Sequence, residues 1–222
     1  MTERIAHEGN GAQLFPGGSR SCTVEETPAI VAIGASTGGP GALGRILPRF
    51  PADFPIPILI VQHMPFGFTG PFAERLNSLC SIGVREATQS QALQPGMAYI
   101  APAGSHMRVV NSLADHKPRI VLDSRRGKAL HIPSIDELMK SVAGLYGNRT
   151  IGVVMTGMGC DGAAGIGAIF HKGGLTIGQD EATCTVYGMP RVCAELGILT
   201  RVAPLTYIPH LIMRAIRGAR CT

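Results

Sequence analysis

Three apolar runs constrain any fold open to this chain. Ile30-Val31-Ala32-Ile33, Ile56-Pro57-Ile58-Leu59-Ile60-Val61 and Ile151-Gly152-Val153-Val154-Met155 lack the polar alternation of a half-exposed strand. Each therefore reads as a short strand covered on both faces. Each ends in a turn: Gly34-Ala35-Ser36-Thr37-Gly38-Gly39-Pro40, Gln62-His63-Met64-Pro65 and Thr156-Gly157-Met158-Gly159-Cys160-Asp161-Gly162. Helical patterns alternate with such strands at both ends of the chain, which implies a parallel sheet with helices on both faces.

The full pattern predicts strands at 30–35, 57–62, 83–87, 97–101, 107–110, 119–122, 151–156, 174–178 and 201–204. Helices are predicted at 40–47, 69–80, 134–146, 161–172, 188–196 and 207–217. Pro48 stops the first helix by removing a donor. Ser134-Ile135-Asp136-Glu137 has the form of a capping box, with Ser134 as N-cap and Glu137 reaching back. The stretch 97–122 reads as a small β-hairpin insertion. Residues 1–28 are polar and Gly-rich without periodicity and are expected to form a flexible tail, leaving 29–222 as one domain. Aromatics make up only 5% of the 222 residues, so Val, Ile, Leu, Met and Ala must fill the core.

The formal net charge of +5 favours acidic partners. The basic residues are scattered and not interleaved with aromatics, so nucleic acid is not the expected partner. The six cysteines show no C-x-x-C spacing, no signal peptide opens the chain, and no apolar run reaches the ~18 residues of a membrane span. These features predict a cytoplasmic protein with reduced thiols, no membrane insertion and no metal.

Gly39-Pro40-Gly41-Ala42-Leu43-Gly44 matches the dinucleotide fingerprint G-x-G-x-x-G, but the second strand ends in Gln62 and His63 where a ribose-binding acid would stand. No cofactor is therefore expected. The same turn could be an anion nest, yet the lysine of a P-loop is absent. Ser36 taken alone is a plain helix N-cap. His63 changes that reading, because it stands at the carboxyl end of an apolar strand and can approach Ser36 across a parallel pair. Asp161, before the next helix, is both a natural N-cap and a carboxylate able to orient an imidazole. It is preferred over its rivals Asp180 and Glu181.

At these segments the chain resembles the catalytic domain of the bacterial chemotaxis protein-glutamate methylesterase family. The resemblance runs from about Val31 to Ile216 and takes in the Ser36 turn, Gln62-His63-Met64-Pro65, Phe68-Thr69, Phe72 to Asn77, Pro133-Ser134-Ile135-Asp136, Thr156 to Gly162, Gln179 to Ala182 and Tyr187-Gly188-Met189-Pro190. It implies a Rossmann-like, doubly wound sheet and a serine hydrolase. Ser36 would be nucleophile, His63 general base and Asp161 its orienting acid, with Thr37, Gly38, Met158 and Gly159 lining the oxyanion and substrate site. The implied substrates are γ-glutamyl methyl esters, and glutamines for deamidation, on the cytoplasmic helices of chemotaxis receptors. Relatives commonly carry a receiver domain ahead of this one, so the short tail implies a stand-alone form. Ile132 stands where relatives usually have arginine. The other readings are a non-catalytic receptor-binding module of the same fold, and a hydrolase for another small ester or amide.

Overall fold

The computed structural model describes residues 27–125, 127 and 129–218. The tail expected over 1–28 lies, up to residue 26, outside the described residues. The elements are β1 (Ile30–Ala35), α1 (Gly39–Ile46), β2 (Ile58–Gln62), α2 (Thr69–Asn77), β3 (Gly83–Glu86), β4 (Met97–Ile100), β5 (His106–Asn111), β6 (Pro118–Asp123), α3 (Ile135–Tyr146), β7 (Thr150–Val154), α4 (Ala163–His171), β8 (Leu175–Gln179), α5 (Met189–Glu195), β9 (Arg201–Ala203) and α6 (Ile208–Gly218).

Seven strands pair in the order β3-β4-β2-β1-β7-β8-β9, every neighbour parallel. The chain first builds outward on one side of β1, then returns past it to lay down β7, β8 and β9. That reversal makes β1/β7 the point where the strand order switches, and the carboxyl ends of the strands open a crevice there. All six residues of β1 and all five of β7 are buried, as continuous apolar runs in a doubly covered sheet require.

β1 divides its side chains between two cores. Val31, Ile33 and Ala35 point to the face covered by α1, α2 and α6, where Leu43, Phe72 and Ile212 are buried. Ile30 and Ala32 point to the other face, against Leu138 and Val142 of α3, Ile166 of α4 and Cys193 of α5. Helices on both faces make the architecture doubly wound.

The hairpin is smaller than the sequence pattern implied. β5 and β6 pair antiparallel from His106–Asp123 to Asn111–Pro118, whereas β4 belongs to the main sheet between β3 and β2. β4 buries Ala98, Tyr99 and Ile100 in succession, the mark of a strand covered on both sides, while β5 ends in two exposed residues and β6 is half-buried along most of its length. Among the described residues no helix is long and apolar enough to cross a membrane.

Candidate active site

The register of β1 on β2 sets the first relationship. Ala35 pairs with Gln62, and the His63 N–H donates to the Ala35 carbonyl at 3.1 Å. Ser36 and His63 are the next residues on strands that run ~4.8 Å apart. On the other side the Ser36 N–H donates to the Thr156 carbonyl at 3.0 Å, just past β7. Three strand ends thus converge on Ser36.

Two glycines let the chain close on this point. Gly38, the N-cap of α1, has φ of 82°, and a Cβ there would lie 2.5 Å from Thr185 Cβ. Only glycine accepts both the left-handed backbone and the missing space. Gly157 lies flat against Ser36, since an added Cβ would sit 2.7 Å from Ser36 Cβ. Among the described residues, no group engages the N–H groups of Thr37 and Gly38 or those of Met158 and Gly159, whereas the Gly157 N–H is held by Val186 O at 3.0 Å. The turn at 36–38 also faces the positive end of α1.

His63 Nε2 lies 2.9 Å from Asp161 Oδ2, with the two side chains only 12% and 11% exposed. The remaining lone pairs of Asp161 are filled from the start of α3. The Ile135 N–H (2.8 Å), the Asp136 N–H (3.1 Å) and the Ser134 hydroxyl (2.9 Å) all donate to it. Burial works against the charged carboxylate. The His63 ring and these backbone donors outweigh it and hold the Asp161 pKa down at about 2. Ser36 is half-buried, and no hydrogen bond joins its Oγ to the imidazole. The structure therefore joins His63 to Asp161 by a side-chain contact, and strand register brings the Ser36 backbone to the same sheet edge.

Two expectations about caps are corrected. Asp161 caps α3 rather than α4; α4 begins at Ala163, and Gly162 is its N-cap without a side-chain bond. The first-turn donors of α4 go instead to Asp136 Oδ1, which accepts from Gly162 (3.0 Å) and Gly165 (2.7 Å). The box at Ser134 is only half formed. Ser134 Oγ accepts from the Glu137 N–H, but the Glu137 carboxylate pairs with Arg108 at 2.7 Å instead of reaching back. A guanidinium is a stronger partner than one backbone N–H, and the Ser134 N–H finds His106 Nδ1 at 3.1 Å.

Of the rival carboxylates, Asp180 closes its own turn on the Thr183 N–H and hydroxyl, and no bond or ion pair joins Asp180 or Glu181 to His63. Several residues at the site were not singled out from the sequence. Gln62, 1% exposed, donates through Nε2 to both Ser36 O and His63 O at 2.9 Å. Gln179 does the corresponding work at the end of β8, accepting from Thr156 N–H (2.9 Å) and donating to Thr183 O (2.7 Å). Their common signal is a polar residue closing an otherwise apolar strand. His131 stacks on His63 with ring centroids 4.3 Å apart and planes 23° from parallel. Among the described residues no group of three or more His, Cys, Asp and Glu side chains is arranged to hold a metal ion.

Comparison with known proteins agrees with this geometry. Residues 31–212 match the family model described as CheB methylesterase. The chain is 46% identical over 189 residues to protein-glutamate methylesterase/protein-glutamine glutaminase 1 of Oleidesulfovibrio alaskensis, covering 84% of this chain and 50% of that protein. It is 47% identical over 190 residues to the protein-glutamate methylesterase/protein-glutamine glutaminase of Pyrococcus horikoshii, covering 86% and 51%. The chain thus spans about half the length of the curated relatives it matches. The crystal structure of the Thermotoga maritima CheB methylesterase catalytic domain superimposes with a TM-score of 0.81 at 38% identity, covering 85% of this chain and 98% of that one. This chain belongs to the CheB methylesterase family.

Proposed function

We propose that this chain is a serine hydrolase that demethylates γ-glutamyl methyl esters on the cytoplasmic helices of chemotaxis receptors and deamidates glutamines there. The observation that carries the reading is the His63–Asp161 pair at 2.9 Å, placed by strand register beside a serine on a turn with free N–H groups. His63 Nε2 is committed to Asp161, so Nδ1 is the nitrogen left to take the Ser36 proton. Ser36 Oγ then attacks the ester carbonyl. The tetrahedral oxyanion is met by N–H groups of Thr37 and Gly38 or of Met158 and Gly159. Imidazolium returns the proton to departing methoxide, and water delivered by His63 hydrolyses the acyl-enzyme to glutamate. With glutamine the leaving group is ammonia.

A macromolecular substrate is supported by the rim of the site. Phe66 is 85% exposed and Met158 75%, with Leu130 exposed beside His131. Large apolar side chains left in water around a polar centre suit a docking protein surface. The net charge of +5 would complement acidic helices.

The test is methanol release from methylated receptor membranes, together with fluorophosphonate labelling. Ser36→Ala and His63→Ala should each lower the rate about 10⁴–10⁶-fold, and Asp161→Asn less. Labelling of the native chain should require both Ser36 and His63. Full methanol release by Ser36→Ala, or a native chain that binds receptor and hydrolyses nothing, would overturn the enzyme reading in favour of a non-catalytic module. Faster turnover of free small esters than of receptor would overturn the substrate.

A further inference from the structure

We infer that His131 is a positioning residue for the hydrolysis, acting by covering one face of the His63 ring. This rests on His63 being the general base. Asp161 fixes one edge of that ring through Nε2, but one hydrogen bond leaves the imidazole free to rock about the bond that holds it. The plane is set by the second contact, the His131 ring at 4.3 Å and 23°. With an edge tied and a face covered, the ring has one orientation, and Nδ1 is held in one place for the proton transfer proposed above.

The position of His131 between two cavities supports this role. It lines a cavity of about 220 Å³ with His63, Met64 and Pro65. It also lines a cavity of about 400 Å³ bounded by the hairpin, the first turn of α3 and the turn at 159–161. One imidazole thus lines both the space beside the base and a larger, charged space lined by Arg108, Glu137 and Lys140. Removing it would expose to water the face of His63 that it covers. Its own ring is exposed, so the core does not depend on it.

The ring acts here as a flat aromatic surface, since its contact with His63 is a stack of the two planes. Stacked aromatic pairs and orientation of a reacting group both operate through plane and distance. A phenyl ring at 131 should therefore serve as well as an imidazole.

The experiment uses the native chain, His131→Ala and His131→Phe. Methanol release from methylated receptor membranes should fall about 10-fold in kcat for His131→Ala with KM little changed, and return to within about 2-fold for His131→Phe. In chains carrying isotope-labelled histidine, the His63 ring-proton signals should move downfield in His131→Ala, as shielding by the stacked ring is lost, and return in His131→Phe. His131→Ala with native kcat, or His131→Phe no better than His131→Ala, would overturn the proposal. If the native chain releases no methanol, the hydrolase reading falls by itself. The ring signals then decide the stack alone, and signals unmoved in His131→Ala would overturn it.

Discussion

Asp161 and Asp136 exchange caps: Asp161 closes the start of the helix that holds Asp136, and Asp136 closes the start of the helix that follows Asp161. Asp161, on the approach to α4, accepts from Ile135 and Asp136 of α3. Asp136, in α3, accepts from Gly162 and Gly165 at the start of α4. The acid that faces His63 is thereby locked to the scaffold on both sides, and its position depends on a residue that touches no reacting group.

Asp136→Ala should consequently lower stability by about 1–2 kcal/mol through two abandoned first-turn N–H groups. Asp136→Asn keeps an acceptor oxygen in the same place and should lose much less. It also removes a charge that burial disfavours and that Asp161 further penalises, which together hold the Asp136 pKa above its usual value. Urea midpoints of the two variants check this; equal losses would mean that the acceptor is not what Asp136 contributes.

The depressed pKa of Asp161 gives a signed pH dependence. A carboxyl whose folded pKa lies near 2, against 3.8 unperturbed, contributes stability that is fully present above pH 3.8 and lost as pH falls toward 2. The shift corresponds to about 2 kcal/mol. Asp136, shifted upward, acts with the opposite sign. Urea unfolding of the native chain should therefore weaken between about pH 4 and pH 2 by an amount missing from Asp161→Asn. Parallel pH profiles of the two proteins would show that Asp161 is not held in its charged form by the fold.

Much of this was legible in the sequence, for identifiable reasons. Runs such as Ile58-Leu59-Ile60-Val61 allow no reading but a covered strand, and once strands are parallel, residues just past their ends share one edge. That logic reaches Ser36, His63 and Asp161 without any side-chain coordinates. What it cannot reach are relationships made by tertiary closeness. Asp136 reads as an ordinary first-turn acid of its own helix, and nothing local says that it caps α4. His131 sits in a loop with no periodicity, so its stack on His63 has no signature. Glu137 has the spacing of a capping box, and only Arg108, 29 residues earlier on β5, takes it away. The hairpin was drawn too long because four residues, 97–100, are too few for a period to declare itself.

Gln62 should be intolerant of loss in a graded way. Its Nε2 satisfies the carbonyls of Ser36 and His63 together, and its Oε1 has no partner. Gln62→Leu removes both donors and should cost about 1–3 kcal/mol. Gln62→Glu should cost more, because a carboxylate would face the same two carbonyl oxygens with no donor at all. The order is the test: if Gln62→Glu is as stable as the native chain, the double donation is not what holds the two strand ends.

Gly157 offers the sharpest separation of fold from site. Its N–H is held by Val186 O and its carbonyl accepts from Gly188 and Met189 at 3.1 and 2.9 Å, so the backbone is fixed on both sides. A methyl at Gly157 would meet Ser36 Cβ at 2.7 Å and press on Met189 Sδ. Methionine is flexible and can yield. Ser36 cannot move far, because its N–H, its carbonyl and the Gly39 N–H are all engaged. The strain is therefore delivered to the nucleophile turn. Overpacking of this kind costs about 1–3 kcal/mol in stability, and a displacement approaching 1 Å at a reacting group costs about 10²-fold in rate. Gly157→Ala should remain folded by circular dichroism, with a modestly lower urea midpoint, while methanol release and fluorophosphonate labelling fall together by about that factor. A Gly157→Ala protein with native labelling kinetics would place Ser36 away from the chemistry, whatever the distance between His63 and Asp161.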